Sequence, residues 1–418
     1  MTTAARLEPA PGNARKLTHV ENLIWIGQRM AGQAPIYNMA LAIGLNDIDP
    51  QRFADAYQRL GTEFAPLRAS VRNGADGPLL DLSTVQPADL EQLDLRAEQD
   101  AKVAADDWMQ RAAAVPFALD EPLCRSALIR VDDRQYIWFI NQHHLITDAW
   151  SCSLLLAAMD RAYHEQTDGA PQEMTGQPPN ARGVTESRLE QARSHWHQVY
   201  RSVPQQDAIF GRLNPNRDAG SERLRYYLDA DDVSRLQAVA SREFPALSAH
   251  MSLFIAFSAL LVALISRISQ RRRIGFEAPF ANRATKQDQQ TPGLFIELFP
   301  LAADIDGTTS FVDIGRQIQQ QMPAMLKHGL PGSSVPSGNH GCDAVLNFIP
   351  FQLGTFGGEA VQAEFVHPGA HDAAHVLRLQ VWDMLSNGGL TIMFDLNRAV
   401  VREENQDTVT GYFKSLMA

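Results

Sequence analysis

The sequence predicts an α/β protein with two lobes of similar make-up. Helical and strand patterns alternate over residues 17–163, and the same mixture returns after residue 190. Between the halves, residues 167–187 are rich in Pro, Gly and polar side chains, as is typical of a linker. No short-period repeat is present, so the halves are interpreted as two related lobes. We predict a disordered leader at 1–16, an N-terminal lobe at 17–175, a linker at 176–190 and a C-terminal lobe at 191–418.

Local patterns are clearest in the first half. Apolar residues recur at helical spacing over residues 50–63, and residues 101–114 predict a second helix. Residues 124–131 and 136–140 predict two strands joined by a polar turn. The second of these is apolar on both faces, which indicates a buried central strand, and a helix is predicted over 151–163.

The second half repeats this mixed character. A strand is predicted at 223–228, followed by a helix that Asp231 or Asp232 would cap. Residues 251–266 are strongly apolar, but they are too short and too interrupted to cross a bilayer, so they predict a buried core helix. The remaining predicted elements are strands at 274–277, 344–348, 377–382 and 390–394 and a last helix at 402–416.

Composition narrows the function classes. The chain has 418 residues and a formal net charge of −11, which argues against a nucleic-acid-binding protein. The basic cluster at 271–273 is interpreted as a solvated helix end, with a docking contact for an acidic partner as the alternative. Three cysteines without a C-x-x-C pair disfavour a disulfide scaffold and fit a cytoplasmic location. The first residues lack an apolar signal region, and no membrane association is expected.

The sharpest chemical feature is the sequence NQHHLITDAWS at residues 141–151. Two histidines follow a strand predicted to end at Ile140, and Asp148 lies four positions after His144. A strand end holds a polar side chain rigidly beside a cavity, and imidazole is the natural general base near neutral pH. A nearby carboxylate can fix the orientation of such a ring. The pattern therefore indicates a general-base site at the pair His143 and His144.

Other interpretations of the histidines remain possible. The pair could be loop residues, or half of a metal site completed by His367, His371 and His375. That cluster lacks a metal-ligand spacing, so no metal site is predicted. The segment His195-Trp196-His197 is expected on an exposed helix face. The chain has no G-x-S-x-G elbow, no H-E-x-x-H and no P-loop, and GSS at 332–334 is expected to be a flexible loop and not a nucleophile.

The pattern His143-His144-x-x-x-Asp148 followed by Trp150-Ser151 resembles the H-H-x-x-x-D-G-W-S signature of nonribosomal peptide synthetase condensation domains. Further stretches resemble other motifs of that family, from residue 17 to the C-terminus. They are THVENLIW at 18–25, LR at 67–68, PFALDEPLCR at 116–125, the segment 275–283, GLFI at 293–296 and VLNF at 345–348.

This resemblance implies two chloramphenicol-acetyltransferase-like lobes that form a V-shaped pseudo-dimer with an inter-lobe tunnel. One mouth would admit an acyl thioester on the phosphopantetheine of a carrier protein, and the other would admit the acceptor. His144 would lie in the middle of the tunnel as general base or positioning group, with His143 and Asp148 as mainly architectural members of the catalytic motif. Asp148 would pair with Arg283 of the other lobe, because a buried carboxylate needs a partner.

The resemblance also implies that Trp150, Ser151 and Asn347 line the substrate channel. No metal and no cofactor of the enzyme itself is implied, since the substrate arrives on the phosphopantetheine of its carrier. The partners would be an acyl or peptidyl carrier protein and a small amine or alcohol, and the two-lobed fold would function as a monomer.

Several positions depart from the family pattern. Ala149 replaces the usual Gly, Glu297 replaces Asn, and Glu63-Phe64 replaces Arg-His. The Y-x-D-Y-A-x-W motif is absent between residues 164 and 190. These departures favour a stand-alone acyltransferase that releases an acyl, polyketide or peptidyl chain as an ester or amide in natural-product biosynthesis.

Three alternatives within the superfamily differ in the motif. A catalytically silent module that recruits carrier proteins or tailoring enzymes would be expected to lose the histidines, which are both present here. An epimerase would continue the motif with Ser before Trp, and a heterocyclising domain would have Asp in place of His143. The sequence fits neither of the last two.

Overall fold

The structure is a computed structural model that describes residues 14–83, 89–164, 174, 184–203, 209, 219–335, 342–349, 353–382 and 388–417. Its helices are α1 (His19–Ala31), α2 (Pro50–Glu63), α3 (Ala101–Ala113), α4 (Ala149–His164), α5 (Glu186–Ser202), α6 (Ala230–Glu243), α7 (Ala249–Ser269), α8 (Lys286–Gln290), α9 (Phe311–Gln319), α10 (Met322–His328) and α11 (Glu403–Met417). Its strands are β1 (Ala14–Lys16), β2 (Asn38–Asn46), β3 (Ser70–Gly74), β4 (Gly77–Asp81), β5 (Leu90–Asp94), β6 (Cys124–Arg130), β7 (Gln135–His143), β8 (Ser221–Leu228), β9 (Arg273–Ala281), β10 (Ile296–Asp304), β11 (Ala344–Ile349), β12 (Thr355–Phe356), β13 (Glu359–Ala360), β14 (Gln362–Val366), β15 (Leu377–Trp382) and β16 (Leu390–Asn397).

Two large mixed sheets organise the chain, in the orders β14-β2-β7-β6-β5 and β10-β9-β11-β15-β16-β8. Each contains four strands with the same pairing pattern. In the first sheet β2 and β7 are antiparallel, β7 and β6 are antiparallel, and β6 and β5 are parallel. In the second sheet β8, β16, β15 and β11 follow the same pattern. The mixed α/β fold class is confirmed, and the two sheets form two lobes of matching topology.

One strand crosses between the lobes. The strand β14 belongs to the C-terminal half of the chain, yet it pairs antiparallel with β2 from Val366 opposite Ala40 to Gln362 opposite Gly44. It thereby covers an edge of the first sheet whose backbone groups would otherwise lack partners. The division of the chain at residue 191 stays a prediction, and within its second part this strand completes the N-terminal sheet.

Each lobe has its own apolar core. In the N-terminal lobe, Phe53, Tyr57 and Trp138 are fully buried between the sheet and helices α2 and α4. In the C-terminal lobe, α7 packs on the sheet, and it is confirmed as the predicted core helix. It is long and apolar enough to cross a membrane, but 67% of its most apolar window is buried inside the fold.

The boundaries of the leader and linker differ from the prediction. Residues 1–13 lie outside the described residues, but β1 pairs with β4, so Ala14–Lys16 belong to the ordered fold. Most of 176–190 also lies outside the described residues. Helix α5 begins at Glu186, where Thr185 caps it by accepting a hydrogen bond from Arg188 N, so the end of the predicted linker is helical.

Two local predictions were wrong. Asp229, and not Asp231 or Asp232, caps α6. The segment 195–197 is not a uniformly exposed face, because Trp196 is 2% exposed and donates from Nε1 to His328 O at 2.8 Å. Trp196 lies one helical turn before Tyr200, and both aromatic side chains are buried in the C-terminal core.

Candidate active site

The strand that carries the two histidines is longer than predicted. It continues past Ile140 to His143, which lies opposite Asn38 of β2. The polar residues Asn141 and Gln142 are buried in it, and their backbone groups take part in the sheet. The sequence pattern placed the strand end at the first polar residue, whereas in the structure backbone pairing with two neighbours keeps the strand intact through His143.

His143 is held on both ring nitrogens. Its Nδ1 accepts a hydrogen bond from Leu145 N at 3.1 Å, so Nε2 carries the proton and lies 3.3 Å from Gln28 Oε1 on α1. The ring is 1% exposed and makes edge contacts with the rings of Tyr37 and Phe117. Burial, with the adjacent charge of His144, lowers the pKa of His143 to about 3. His143 is therefore a neutral residue that supports the strand end.

His144 has one ring nitrogen that is bonded to the backbone and one that has no hydrogen-bond partner among the residues that the structure describes. Its Nδ1 lies 2.8 Å from Thr147 O, and because a carbonyl only accepts, Nδ1 must be the protonated nitrogen. Nε2 then carries the lone pair. Burial lowers the pKa of His144, although the charge of Asp148 and the bond to Thr147 oppose the shift. The ring is half-buried and neutral near neutral pH, which is the form in which Nε2 accepts a proton.

Asp148 lies in an inter-lobe clamp, which we define as Asp148, Ser151, Arg283 and Phe295. Asp148 is fully buried, and its carboxylate accepts hydrogen bonds from the backbone N–H groups of Ser151 at 2.8 Å and Phe295 at 3.1 Å. Arg283 Nη2 donates to both carboxylate oxygens at 3.0 Å. The predicted pairing of Asp148 with Arg283 is confirmed, and each lobe contributes donors to one buried carboxylate.

Arg283 extends the clamp into the C-terminal lobe. Its Nη1 donates to the carbonyls of Asp288 at 2.6 Å and Thr291 at 2.7 Å, and its guanidinium lies 3.9 Å from the Phe295 ring centroid. The bonded carbonyls, the stacked ring and the paired carboxylate hold a residue that is 7% exposed, although its Nε has no hydrogen-bond partner among the described residues. Its position fixes the segment after β9 against the start of α4.

The three residues predicted to line the substrate channel lie in different environments. Ser151 is 0% exposed, and its hydroxyl bonds Asp148, Gly293 and Arg283, so it belongs to the inter-lobe clamp. Trp150 is 36% exposed and donates from Nε1 to Gln289 O at 2.8 Å, which ties α4 to α8 of the other lobe. Asn347 is half-buried on β11 and donates to Gln380 Oε1 at 3.2 Å.

Two departures from the motif pattern have structural explanations. Ala149 is the first residue of α4, and Asp47 and Gln270 are the non-glycine residues with positive φ in the described ranges, so the position needs no glycine. Glu297 is 3% exposed and accepts hydrogen bonds from Gly332 N at 2.7 Å and Ser334 N at 2.9 Å. The GSS stretch is thus held by Glu297 and is not a loose loop.

A polar surface on the second sheet was not predicted. Alternate residues of β9, β15 and β16 place Glu277, Arg378, Gln380 and Asp395 on one face, because their register aligns them across the strands. The signal is present in the segment LRLQVW at 377–382, whose strict alternation puts Leu377, Leu379 and Val381 in the core and the polar residues on the other face.

The three histidines considered as metal ligands each contact protein groups. His367 Nε2 lies 2.8 Å from Ser221 Oγ, His371 Nε2 lies 3.1 Å from His375 O, and His375 Nε2 lies 2.8 Å from Glu277 Oε2. Burial lowers the pKa of His367 to about 4 and that of His371 to about 3. They belong to the buried polar network behind the same sheet face.

Comparison with known proteins gives a consistent result. A family model described as "Condensation domain" matches residues 14–418. Surfactin synthase subunit 1 of Bacillus subtilis is 22% identical over 332 residues, 75% of this chain and 9% of that protein. Phosphinothricin tripeptide synthetase PhsC of Streptomyces viridochromogenes is 25% identical over 338 residues, 75% of this chain and 30% of that protein. The chain therefore corresponds to a small part of these relatives.

Solved structures show the same fold. The starter condensation domain of rhizomide synthetase RzmA, as a mutant in complex with C8-CoA, superposes with a TM-score of 0.81 at 22% identity, covering 97% of this chain and 94% of that chain. The first condensation domain of the calcium-dependent antibiotic synthetase, with a substrate analogue, also superposes with a TM-score of 0.81, at 17% identity over 97% of this chain and 96% of that chain.

Proposed function

This chain belongs to the condensation-domain family, and we propose that it transfers an acyl, polyketide or peptidyl chain from a carrier-protein phosphopantetheine thioester to a hydroxyl or amine acceptor. The observation that carries the proposal is the fixed tautomer of His144. The bond from Nδ1 to Thr147 O leaves Nε2 as an acceptor nitrogen on a half-buried, neutral ring. A neutral imidazole with one free lone pair is suited to general-base catalysis.

In the proposed reaction, Nε2 of His144 takes the proton from the acceptor hydroxyl or amine as that atom attacks the thioester carbonyl. The carbon–sulfur bond then breaks, and the proton returns from the imidazolium to the departing thiolate. The products are an ester or amide and the free thiol of the carrier arm. Because the thioester is already activated, the reaction needs no covalent intermediate on the protein.

His143 and Asp148 support this step without contacting the reacting atoms. His143 ties the end of β7 to α1 through Gln28, and His144 N donates to Tyr37 O at 2.8 Å, so the ring is mounted on a fixed backbone. Asp148 fixes the opposite lobe through Arg283, and its charge favours the imidazolium that forms during proton transfer. His143 thus helps to position the His144 ring, and the charge of Asp148 favours its protonated form.

We extend the proposal to chain release onto a small acceptor by an enzyme that acts in trans. The departures at Ala149 and Glu297, together with the missing Y-x-D-Y-A-x-W motif, support a role other than peptide elongation. The complex of the RzmA starter domain with C8-CoA supports an acyl thioester as the class of donor, since that domain has the same fold. A cytoplasmic, monomeric enzyme is part of the same proposal.

The test uses a carrier protein loaded with an acyl chain, mixed with the enzyme and a panel of small amines and alcohols, and followed by intact-protein mass spectrometry. We expect loss of the acyl group with formation of a coupled product, and a fall in kcat of about 10²–10⁴-fold in His144→Ala. His197→Ala, a change at an exposed residue of α5, is the matched control and should retain full turnover.

Full turnover by His144→Ala would show that the general-base assignment is wrong. Carrier binding without acyl loss for any acceptor would favour the silent recruitment module. Equal rates with soluble coenzyme A thioesters would argue against a carrier-protein partner.

A further inference from the structure

The second sheet presents a polar face opposite its apolar core face. On β15, Leu377 and Leu379 are packed in the core, whereas Arg378 and Gln380 alternate with them and lie on the other face. Across the register, Arg378 lies opposite Asp395 of β16 and Val345 of β11. The face therefore carries a guanidinium between its central strands.

The carboxylates around this face are already engaged. Asp395 accepts hydrogen bonds from Arg223 Nε at 2.6 Å and Nη2 at 2.9 Å and from Gln380 Nε2. Glu277 accepts from Tyr200 OH at 2.5 Å and lies 2.8 Å from His375 Nε2. Each of these carboxylates thus has at least two partners, and neither forms a hydrogen bond or a close ion pair with Arg378 among the described residues.

Arg378 has no such partner in the part of the chain that the structure describes. Its Nε is buried and unbonded, and its guanidinium forms neither a hydrogen bond nor an ion pair with any group there. The side chain is half-buried. The carboxylates of Asp372 and Asp395 act on this guanidinium through space, without a hydrogen bond to it. A guanidinium that is held in a fixed strand position without a hydrogen-bonded anion can therefore accept a carboxylate or phosphate from a ligand.

The position of Arg378 relates it to His144. Tyr37 accepts a hydrogen bond from His144 N through its carbonyl at 2.8 Å and donates from its hydroxyl to Asp372 Oδ2 at 3.3 Å. Asp372 lies in the segment that leads into β15. The positive charge of Arg378 also acts to lower the pKa of His144 and the pKa of Tyr37, so Arg378 interacts electrostatically with two residues of the N-terminal lobe.

We propose that Arg378 binds a carboxylate of the small acceptor and so places the acceptor's hydroxyl or amine at Nε2 of His144. The proposal rests on the proposed acyl transfer and names the class of acceptor. A donor chain is held by its carrier arm, whereas a free small acceptor has only its own contacts to orient it, and a forked guanidinium–carboxylate pair supplies both affinity and direction. The arm's phosphate is separated from the thioester by the whole pantetheine, so it is not the anion that we expect at Arg378.

The test compares kcat/KM for a series of ω-hydroxy and ω-amino carboxylic acids of increasing length with kcat/KM for their primary amides. We expect the wild type to prefer the acids, and we expect this preference to fall about 10–100-fold in Arg378→Gln, mainly through KM. Arg378→Lys should keep part of the preference, because it retains the charge without the fork. Arg398→Gln, which removes an exposed arginine paired with Glu222, is the matched control and should keep the full preference.

A second measurement separates this inference from the proposed function. Calorimetric titration of the same acids into the enzyme without donor should show binding that Arg378→Gln weakens by a similar factor, while its unfolding temperature stays close to that of the wild type. If the enzyme transfers the acyl chain without preferring acids over amides, the inference is wrong. It is also wrong if Arg378→Gln keeps the preference. Neither result contradicts the proposed acyltransferase activity. Binding that depends on Arg378 without any transfer would support the carboxylate site and reject the proposed function. If Arg378→Gln lowers kcat/KM only for donors that carry a carboxylate, and not for acceptors that carry one, the assignment of Arg378 to the acceptor is wrong.

Discussion

Two buried aspartate–arginine pairs use the same chemistry for different purposes. Asp148 and Arg283 join the two lobes, whereas Asp395 and Arg223 join β16 to β8 within the C-terminal sheet. In both pairs the aspartate is nearly or fully buried and the guanidinium is bonded on several nitrogens. The difference lies in what surrounds the carboxylate, because Asp148 follows His144, the proposed general base, and its charge raises the pKa of that ring.

The comparison shows how position converts a structural pair into a functional one. Although burial raises it, the Arg223 guanidinium holds the pKa of Asp395 well below its usual range. That pair serves the sheet, and Arg223 also donates to Phe365 O at 3.0 Å and so anchors the crossing strand β14. Asp148 instead joins the lobe that carries His144 to the lobe that carries Arg378, so the inter-lobe clamp affects both the base and the proposed acceptor site.

The largest effects are expected from removing the arginine of either pair. Arg283→Met and Arg223→Met each leave a buried carboxylate without its cation, and each should lower the free energy of unfolding by about 3–5 kcal/mol. Only Arg283→Met should also lower kcat strongly at temperatures where both variants remain folded, because it loosens the lobe interface beside His144. Urea unfolding followed by circular dichroism and the acyl-transfer assay measure the two quantities.

An exposed pair provides the control for that prediction. Arg134 and Asp47 form an ion pair whose side chains are 77% and 51% exposed, so Arg134→Met should cost less than about 1 kcal/mol. An equal loss of kcat in Arg223→Met and Arg283→Met, at equal stability, would remove the distinction between the two pairs.

A second contrast lies in the pH dependence of kcat/KM. The charge of Asp148 raises the pKa of His144, so Asp148→Asn should lower that pKa further. A general base works only when unprotonated, so activity is lost as the pH falls through this pKa, and the acid limb should move to lower pH in the variant. Asp395 acts on His367 and His371 and not on His144, so Asp395→Asn should leave the acid limb in place.

The pH profiles are measured with a neutral acceptor over the range in which each variant stays folded. If the acid limb of kcat/KM moves equally in Asp148→Asn and Asp395→Asn, the shift is a general electrostatic effect of the fold. A limb that moves to higher pH in Asp148→Asn would contradict the assignment of His144 as the base.

The two pairs also show what the sequence could predict. Helices α2 and α3 and strand β15 were predicted almost to the residue, because their hydrophobic periods are regular. The pairing of Asp148 with Arg283, which lie 135 residues apart, was implied by the resemblance to condensation domains. No comparable motif marks Arg223 and Asp395, which lie 172 residues apart and meet only through the register of β8 and β16.

The crossing strand and the unpaired arginine were missed for related reasons. The pairing of β14 with β2 depends on which sheet edge is open, and no local pattern encodes that. The alternation in 377–382 contains a signal that Arg378 faces away from the core, but this signal was not used. Its lack of a partner emerges only when the neighbouring carboxylates are seen bonded to Arg223, His375 and Tyr37.

The smallest expected effect tests the outer part of the lobe interface. Trp150→Phe removes the hydrogen bond from Nε1 to Gln289 O, and because the residue is 36% exposed, we expect a loss of about 0.5–1 kcal/mol in the free energy of unfolding. Trp196 makes the same type of bond to His328 O at 2.8 Å but is 2% exposed inside one lobe. Trp196→Phe should therefore cost more, about 2–3 kcal/mol, because it also leaves a cavity. Thermal and urea unfolding give both values, and the acceptor KM is measured alongside. If Trp150→Phe instead raises the acceptor KM without lowering stability, the residue lines the substrate channel as the motif implied, and its bond to Gln289 does little to hold the lobes together.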